Sequence, residues 1–165
     1  MIRTATSPQN LIIGGFMVLA GVVAAVAPLP LMYRSLGILL FSYLAFGMGG
    51  MPFAYLTALL GPPIGLITGD VGWLIMLPIV LSSNLLAMLG LEFAWRYPAL
   101  AVSPVLLITP QVFALVASKR ELFEVALPWE PNAALWIGLH TMVALAGVLA
   151  GVLLDRWREK SEERA

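Results

Sequence analysis

The sequence predicts an all-α integral membrane protein, a bundle of about six transmembrane helices. Of its 165 residues, 61% are hydrophobic and 11% are charged, and the mean hydropathy is +0.95. A soluble domain cannot bury that much apolar surface. The apolar stretches are uniformly apolar, whereas the strands of a membrane β-barrel would alternate apolar and polar residues. We therefore expect a single helical transmembrane domain over residues 1–165, with a short charged tail at 155–165.

The predicted spans approach the length of about 20 residues that a helix needs to cross a bilayer. They are residues 10–27, 35–50, 51–69, 71–91, 98–118 and 133–154. The first span follows Arg3, as a signal peptide would, but its length and the lack of a cleavage site indicate a retained helix. Between the second and third spans, the glycines of residues 47–50 and Pro52 mark either a turn or a broken helix.

The distribution of Lys and Arg predicts that both termini are cytoplasmic. The tail holds the densest basic cluster, and such clusters remain on the cytoplasmic side of a membrane. With about six crossings, Arg3 and Arg96 share that side, and Arg34, Lys119 and Arg120 lie outside. The sequence therefore predicts a multi-pass protein of the cell (inner or plasma) membrane, surrounded by the lipid bilayer.

Several function classes have little support in the composition. The formal net charge is zero and the basic residues sit at segment ends, which argues against a nucleic-acid partner. There is no cysteine and a single histidine, so a metal or haem site is poorly supported. No nucleophile with a base and no phosphate-binding loop is recognisable. We predict that the chain is not an enzyme and carries no cofactor and no metal.

A row of glycines leads to an acidic residue. Gly61, Gly65 and Gly69 recur every fourth residue and would line one helix face, where another backbone can approach closely. Asp70 follows directly. It has two interpretations: a cap for the next helix at the water boundary, or an acidic contact to a ligand.

Other polar side chains lie within apolar spans, where each is costly and needs a reason. They are Asn84, Gln111 and His140. Gln111 and His140 would each lie about two turns below the outer surface that carries Asp70, so the three are expected to converge on one outward-facing cavity. The alternative for His140 is a hydrogen-bonded histidine between helices. Prolines in or beside the spans free backbone carbonyls, as in helices that line transporter cavities, although they are common in membrane helices generally.

Residues 59–70, LLGPPIGLITGD, resemble a glycine- and proline-rich segment that ends in aspartate in S components of energy-coupling factor vitamin transporters. Residues 43–52 are similar to the biotin-type members. The resemblance implies about six helices, cytoplasmic termini, an outward vitamin pocket, and a membrane coupling subunit with ATPases as partners. Ala20 and Ala24 match the A-x-x-x-A face that meets the coupling subunit in that family. The doubled Pro62-Pro63 departs from the family pattern.

The chain is also similar to the rod-shape-determining protein MreD family in length, helix count, the loop at residues 28–30 and the basic tail. This resemblance implies a scaffold among cell-wall elongation proteins, and a third interpretation is an accessory subunit of a larger membrane complex. The leading interpretation is a binding subunit for uptake of a small vitamin-like solute. Its expected substrate-binding residues are Asp70, Asn84, Gln111 and His140, and its expected partner interface is Ala20, Ala24, Gly61, Gly65 and Gly69.

Overall fold

The described part of the chain is entirely helical apart from short connections. The computed structural model describes residues 8–96 and 133–162, together with Thr109, Val112 and Val116. Its elements are α1 (Pro8–Val26), α2 (Leu31–Gly49), α3 (Met51–Ile64), a 3-10 helix (Gly65–Thr68), α4 (Val71–Arg96) and α5 (Ala133–Glu162). No strand occurs in these ranges, which confirms the all-α prediction for them.

Five described helical segments are long and apolar enough to cross a membrane. Four are α1, α2, α4 and α5, and the fifth is α3 together with the 3-10 helix, Met51–Thr68. The predicted span at 98–118 lies outside the described residues except for three single positions, so the count of six stays a prediction. Exposed apolar side chains such as Phe16 and Met142 cover the outer faces of α1 and α5, as a surface against lipid requires.

Helix boundaries differ from the predicted spans at the start of α2 and at the ends of α4 and α5. Helix α4 continues to Arg96 rather than ending at residue 91. Helix α2 begins directly after Pro30, four residues earlier than predicted, so Arg34 lies in its first turn. A proline disfavours helix before itself and tolerates helix after itself, which suits this start. Helix α5 continues to Glu162 rather than ending at residue 154, because the Arg, Glu and Lys of the tail are good helix formers.

The glycine-rich segment at residues 47–50, at the end of α2, leads into a turn, which is one of the two predicted alternatives. Gly50 alone separates α2 from α3 and has φ 97°, a conformation that favours glycine. Its N–H donates to the carbonyls of Ala45 and Phe46 at 3.0 and 3.1 Å. The chain therefore reverses within one residue, and α2 and α3 form an antiparallel hairpin.

Side chains of α4 compensate the break that Pro62 and Pro63 cause at the end of α3. A proline has no N–H, so the carbonyl four residues earlier loses its helical donor. The amide Nδ2 of Asn84 donates to that carbonyl, Ala58 O, at 3.3 Å. The indole Nε1 of Trp73 donates to Pro62 O at 2.8 Å. Buried backbone groups at the broken helix end are thus satisfied by side chains, as a membrane interior demands.

Contacts at small residues show how the helices run relative to one another. Gly37 of α2 lies against Ala24, near the end of α1, so α1 and α2 are antiparallel. Gly147 of α5 lies against Tyr43 of α2, and Gly151 lies against Gly47, so α2 and α5 are parallel. The first and last described residues therefore lie at the same end of the bundle. The opposite end carries residues 27–30, residues 65–70 and the start of α5, and is called here the Asp70 end.

Candidate functional site

The Asp70 end gathers polar side chains from three elements. Arg34 and Ser35 lie near the start of α2, Asp70 immediately precedes α4, and His140 lies two turns into α5. Arg34, Ser35 and His140 are each about 2% exposed. Ionisable groups within a membrane are expensive and usually mark a functional or organising site, so this cluster is the candidate site.

Arg34 is the centre of the cluster. Its Nη1 lies 3.1 Å from Asp70 Oδ2 and forms an ion pair. Its Nε donates to Ala25 O at 2.6 Å, and its Nη2 donates to Gly65 O at 3.1 Å and to Thr68 Oγ1 at 3.3 Å. The planar guanidinium offers donors in several fixed directions. One side chain therefore joins the end of α1, the 3-10 helix and the start of α4 to α2.

Trp73 closes the remaining side of the guanidinium. The Arg34 Cζ atom lies 4.3 Å from the centroid of the Trp73 ring, within the range of a cation–π interaction. Gly65 explains the close fit, because a Cβ atom at this position would overlap the indole nitrogen and lie 3.1 Å from Arg34 Nη2. The glycine thus leaves room for the arginine and the tryptophan together.

Asp70 holds two roles at once. Its Oδ1 accepts from the backbone N–H groups of Gly72 and Trp73 at 2.9 and 3.4 Å, which caps the first turn of α4. Its Oδ2 accepts from Arg34, and the side chain is 38% exposed. The capping interpretation is confirmed, and the same carboxylate also faces the surface of the described chain.

His140 bridges two helices. Its Nδ1 lies 2.9 Å from the carbonyl of Trp136 one turn earlier, and its Nε2 lies 3.1 Å from Ser35 Oγ on α2. A carbonyl can only accept, so Nδ1 carries a proton, and in the neutral ring Nε2 accepts from the Ser35 hydroxyl. The ring also packs on Trp136 with centroids 3.8 Å apart. The prediction of a hydrogen-bonded interhelical histidine is confirmed.

The predicted substrate-binding residues do not all meet. Asp70 and His140 lie at the same end and are linked through the consecutive residues Arg34 and Ser35. Asn84 lies about 20 Å along α4 from Asp70 and bonds to α3, so it does not join them. Gln111 lies outside the described residues. The described ranges contain no group of three metal-ligating side chains.

The predicted partner-interface residues mostly pack within the chain. Ala24 lies against Gly37 of α2, Ala20 is half-buried, and Gly61 lies against Ile38. The predicted glycine face ends at Gly65, because α3 stops at Ile64 and Gly69 has φ 68° in a turn. A Cβ atom built on Gly69 would meet no neighbouring atom, so the glycine serves the turn that leads to Asp70 rather than a close helix contact.

Arg34, Ser35 and Trp73 are the functional candidates that sequence reasoning missed. The distribution of basic residues places Arg34 outside the predicted spans, yet the sequence also carries a signal for its pairing. From residue 4 to residue 91 the chain has two charged residues, and they are Arg34 and Asp70, which have opposite signs.

No protein family, characterised protein or solved structure matches this chain.

Proposed function

We propose that the chain is a membrane-embedded binding subunit for uptake of a small polar, vitamin-like solute, with its site at the Asp70 end. The observation that carries this proposal is the clustering of Asp70, Arg34, Ser35 and His140 at one end of a largely apolar bundle. Polar groups that a membrane protein keeps in such surroundings commonly contact a substrate. The partly exposed carboxylate of Asp70 is the group nearest the surface that a solute would reach first.

The resemblance of residues 59–70 to vitamin-transporter S components supports the same proposal and suggests its partners. These would be a membrane coupling subunit and ATPases that drive uptake across the cell membrane. The Asp70 end would then face outward, since both described chain ends lie at the opposite end and the basic tail forms the last turns of α5.

A topology experiment tests the orientation. Reporter fusions after Ala165 and within residues 119–132, which the sequence predicts to be an external loop, should give opposite signals, with the C-terminal fusion reporting the cytoplasm. The reason is that the tail holds the densest cluster of Lys and Arg. Equal signals from the two fusions would contradict both the orientation and an outward Asp70 end.

Ligand retention tests the binding role. The full-length protein is purified in mild detergent, co-purifying small molecules are identified, and their retention is compared between the parent and His140→Ala. Losing one hydrogen bond to a polar ligand costs roughly 1–3 kcal/mol, or about 5- to 150-fold in affinity. Gln111→Ala, made in parallel, tests the predicted third member of the site.

Two controls separate binding from stability. Met142 lies two residues further along α5 and is 69% exposed, so Met142→Ala should retain the solute as the parent does. Thermal unfolding without ligand is measured for each variant, because His140→Ala also removes the bond to Ser35. Unchanged retention in both His140→Ala and Gln111→Ala would rule out this site.

One observation favours a second candidate, a scaffold subunit among cell-wall elongation proteins. Arg34 and His140 already bond to protein groups through their nitrogens, as expected where polar side chains hold a rigid bundle together. A purified protein with no bound solute but with a tightly associated membrane partner would support the scaffold over the transporter subunit.

A further inference from the structure

The groups around Arg34 form the kind of site that recognises an organic cation. The Arg34 guanidinium donates hydrogen bonds to two carbonyl oxygens, Ala25 O and Gly65 O. It also donates to the Thr68 hydroxyl and to the Asp70 carboxylate. The indole face of Trp73 covers it. Carbonyls at helix ends carry partial negative charge, and aromatic faces attract cations. We call these five groups the cation cage.

We infer that the cation cage is a guanidinium-binding site whose ligand is the chain's own Arg34, and that its occupation keeps the Asp70 end of the bundle closed. The number and direction of the contacts to this one side chain would close the Asp70 end whether the bundle binds a solute or serves as a scaffold.

The direction of the contacts explains why a guanidinium is required. Nε, Nη1 and Nη2 each point at a different element, so a compact ammonium at the same place could not reach all the acceptors. Residues 65–70 contribute three of the five groups, although Ile67 in the middle of this turn is 81% exposed. Without the guanidinium, Gly65 O, Thr68 and Asp70 lose their polar contact to α2, and the turn is free to move away from it.

Chemical rescue tests the inference. Because the sequence has no cysteine, an introduced thiol is the one site at which a thiol reagent can react. Ala25→Cys places a thiol beside the cage, and Ala54→Cys places one near the opposite end; both alanines are fully buried. Each is introduced into the full-length parent and into Arg34→Ala, and its reaction with a water-soluble maleimide is timed. The added probes are methylguanidinium and methylammonium, at equal concentrations well below those that denature proteins.

The thiol at position 25 should react at least about tenfold faster in Arg34→Ala, the factor that corresponds to losing one hydrogen bond to a charged group. The thiol at position 54 should react as slowly as in the parent. Methylguanidinium should restore slow labelling at position 25 with a saturable dose response, and methylammonium should not.

Each other outcome overturns the inference. An unchanged rate at position 25 means that the end does not open, and equal acceleration at both positions means that the whole bundle unfolds. Rescue by both cations, or by neither, means that the cage does not recognise a guanidinium. If Arg34→Ala yields no folded protein, Arg34→Lys decides: it should label faster than the parent at position 25, and parent-like protection contradicts the inference.

Discussion

Arg34→Met should lower the free energy of unfolding by about 3 kcal/mol, the lower part of the range for breaking a buried ion pair. Methionine fills similar volume but leaves the carbonyls of Ala25 and Gly65 without this donor. The cost stays at the lower end because Asp70 remains partly exposed and water can solvate its charge. Denaturant or thermal unfolding of the full-length protein in detergent measures the change. Tyr33→Phe, at the neighbouring half-exposed position, should change stability by less than about 0.5 kcal/mol.

A double-mutant cycle shows whether the effect comes from the pair. Asp70→Asn keeps a side chain that caps helices well but removes the charge that faces Arg34. The combined variant, Arg34→Met with Asp70→Asn, should cost less than the sum of the two single changes by about 1–3 kcal/mol. Strict additivity would mean that the two side chains stabilise the bundle independently, contrary to their contact.

The helices are predictable because uniform apolar stretches, and the glycine, proline and polar residues that separate them, are local properties of the sequence. The glycines of residues 47–50 with Pro52 indicate either a turn or a broken helix, Asp70 indicates the start of a helix, and the structure has a boundary at each. The start of α2 and the ends of α4 and α5 are less predictable. A charged residue in the sequence suggests the end of an apolar span, whereas Arg34, the segment up to Arg96 and the charged tail continue the helices.

The candidate site was only partly predictable because its contacts join residues distant along the chain. Asp70 and His140 were singled out as costly polar residues in apolar surroundings, a property that each residue shows alone. The partners that hold them, Arg34 and Ser35, depend on which helices become neighbours. The distribution of basic residues alone makes Arg34 an isolated topological charge, although pairing with the nearest opposite charge lowers the cost of placing it in a helix.

The role of Asn84 shows a second limit of sequence reasoning. A polar amide in mid-helix was expected to contact a substrate, but its Nδ2 donates to the carbonyl that Pro62 deprives of a donor. Proline breaks and polar side chains were each visible in the sequence. Their pairing required the antiparallel packing of α3 and α4, which fixes which turn of one helix faces which turn of the other.

The contact between Gly47 and Gly151 gives the second large expected effect, and it is asymmetric. A Cβ atom built on Gly47 overlaps the Gly151 backbone Cα, whereas one built on Gly151 lies 3.5 Å from the Gly47 Cα. A backbone cannot move aside as a flexible side chain can, so Gly47→Ala must push α2 and α5 apart. Gly47→Ala should therefore destabilise the protein by about 1–3 kcal/mol, the usual cost of overpacking.

Gly151→Ala is the matched control on the other side of the same contact. Its added methyl group would lie at an ordinary van der Waals distance from the Gly47 backbone. Alanine is also favoured over glycine within a helix by about 1 kcal/mol. We expect it to be neutral or stabilising in the same unfolding measurement. Because α2 and α5 also share the bond from Ser35 to His140, Gly47→Ala should loosen the candidate site as well, and any bound solute should be retained less. Equal effects of the two alanines would show that α2 and α5 do not pack through this close glycine contact.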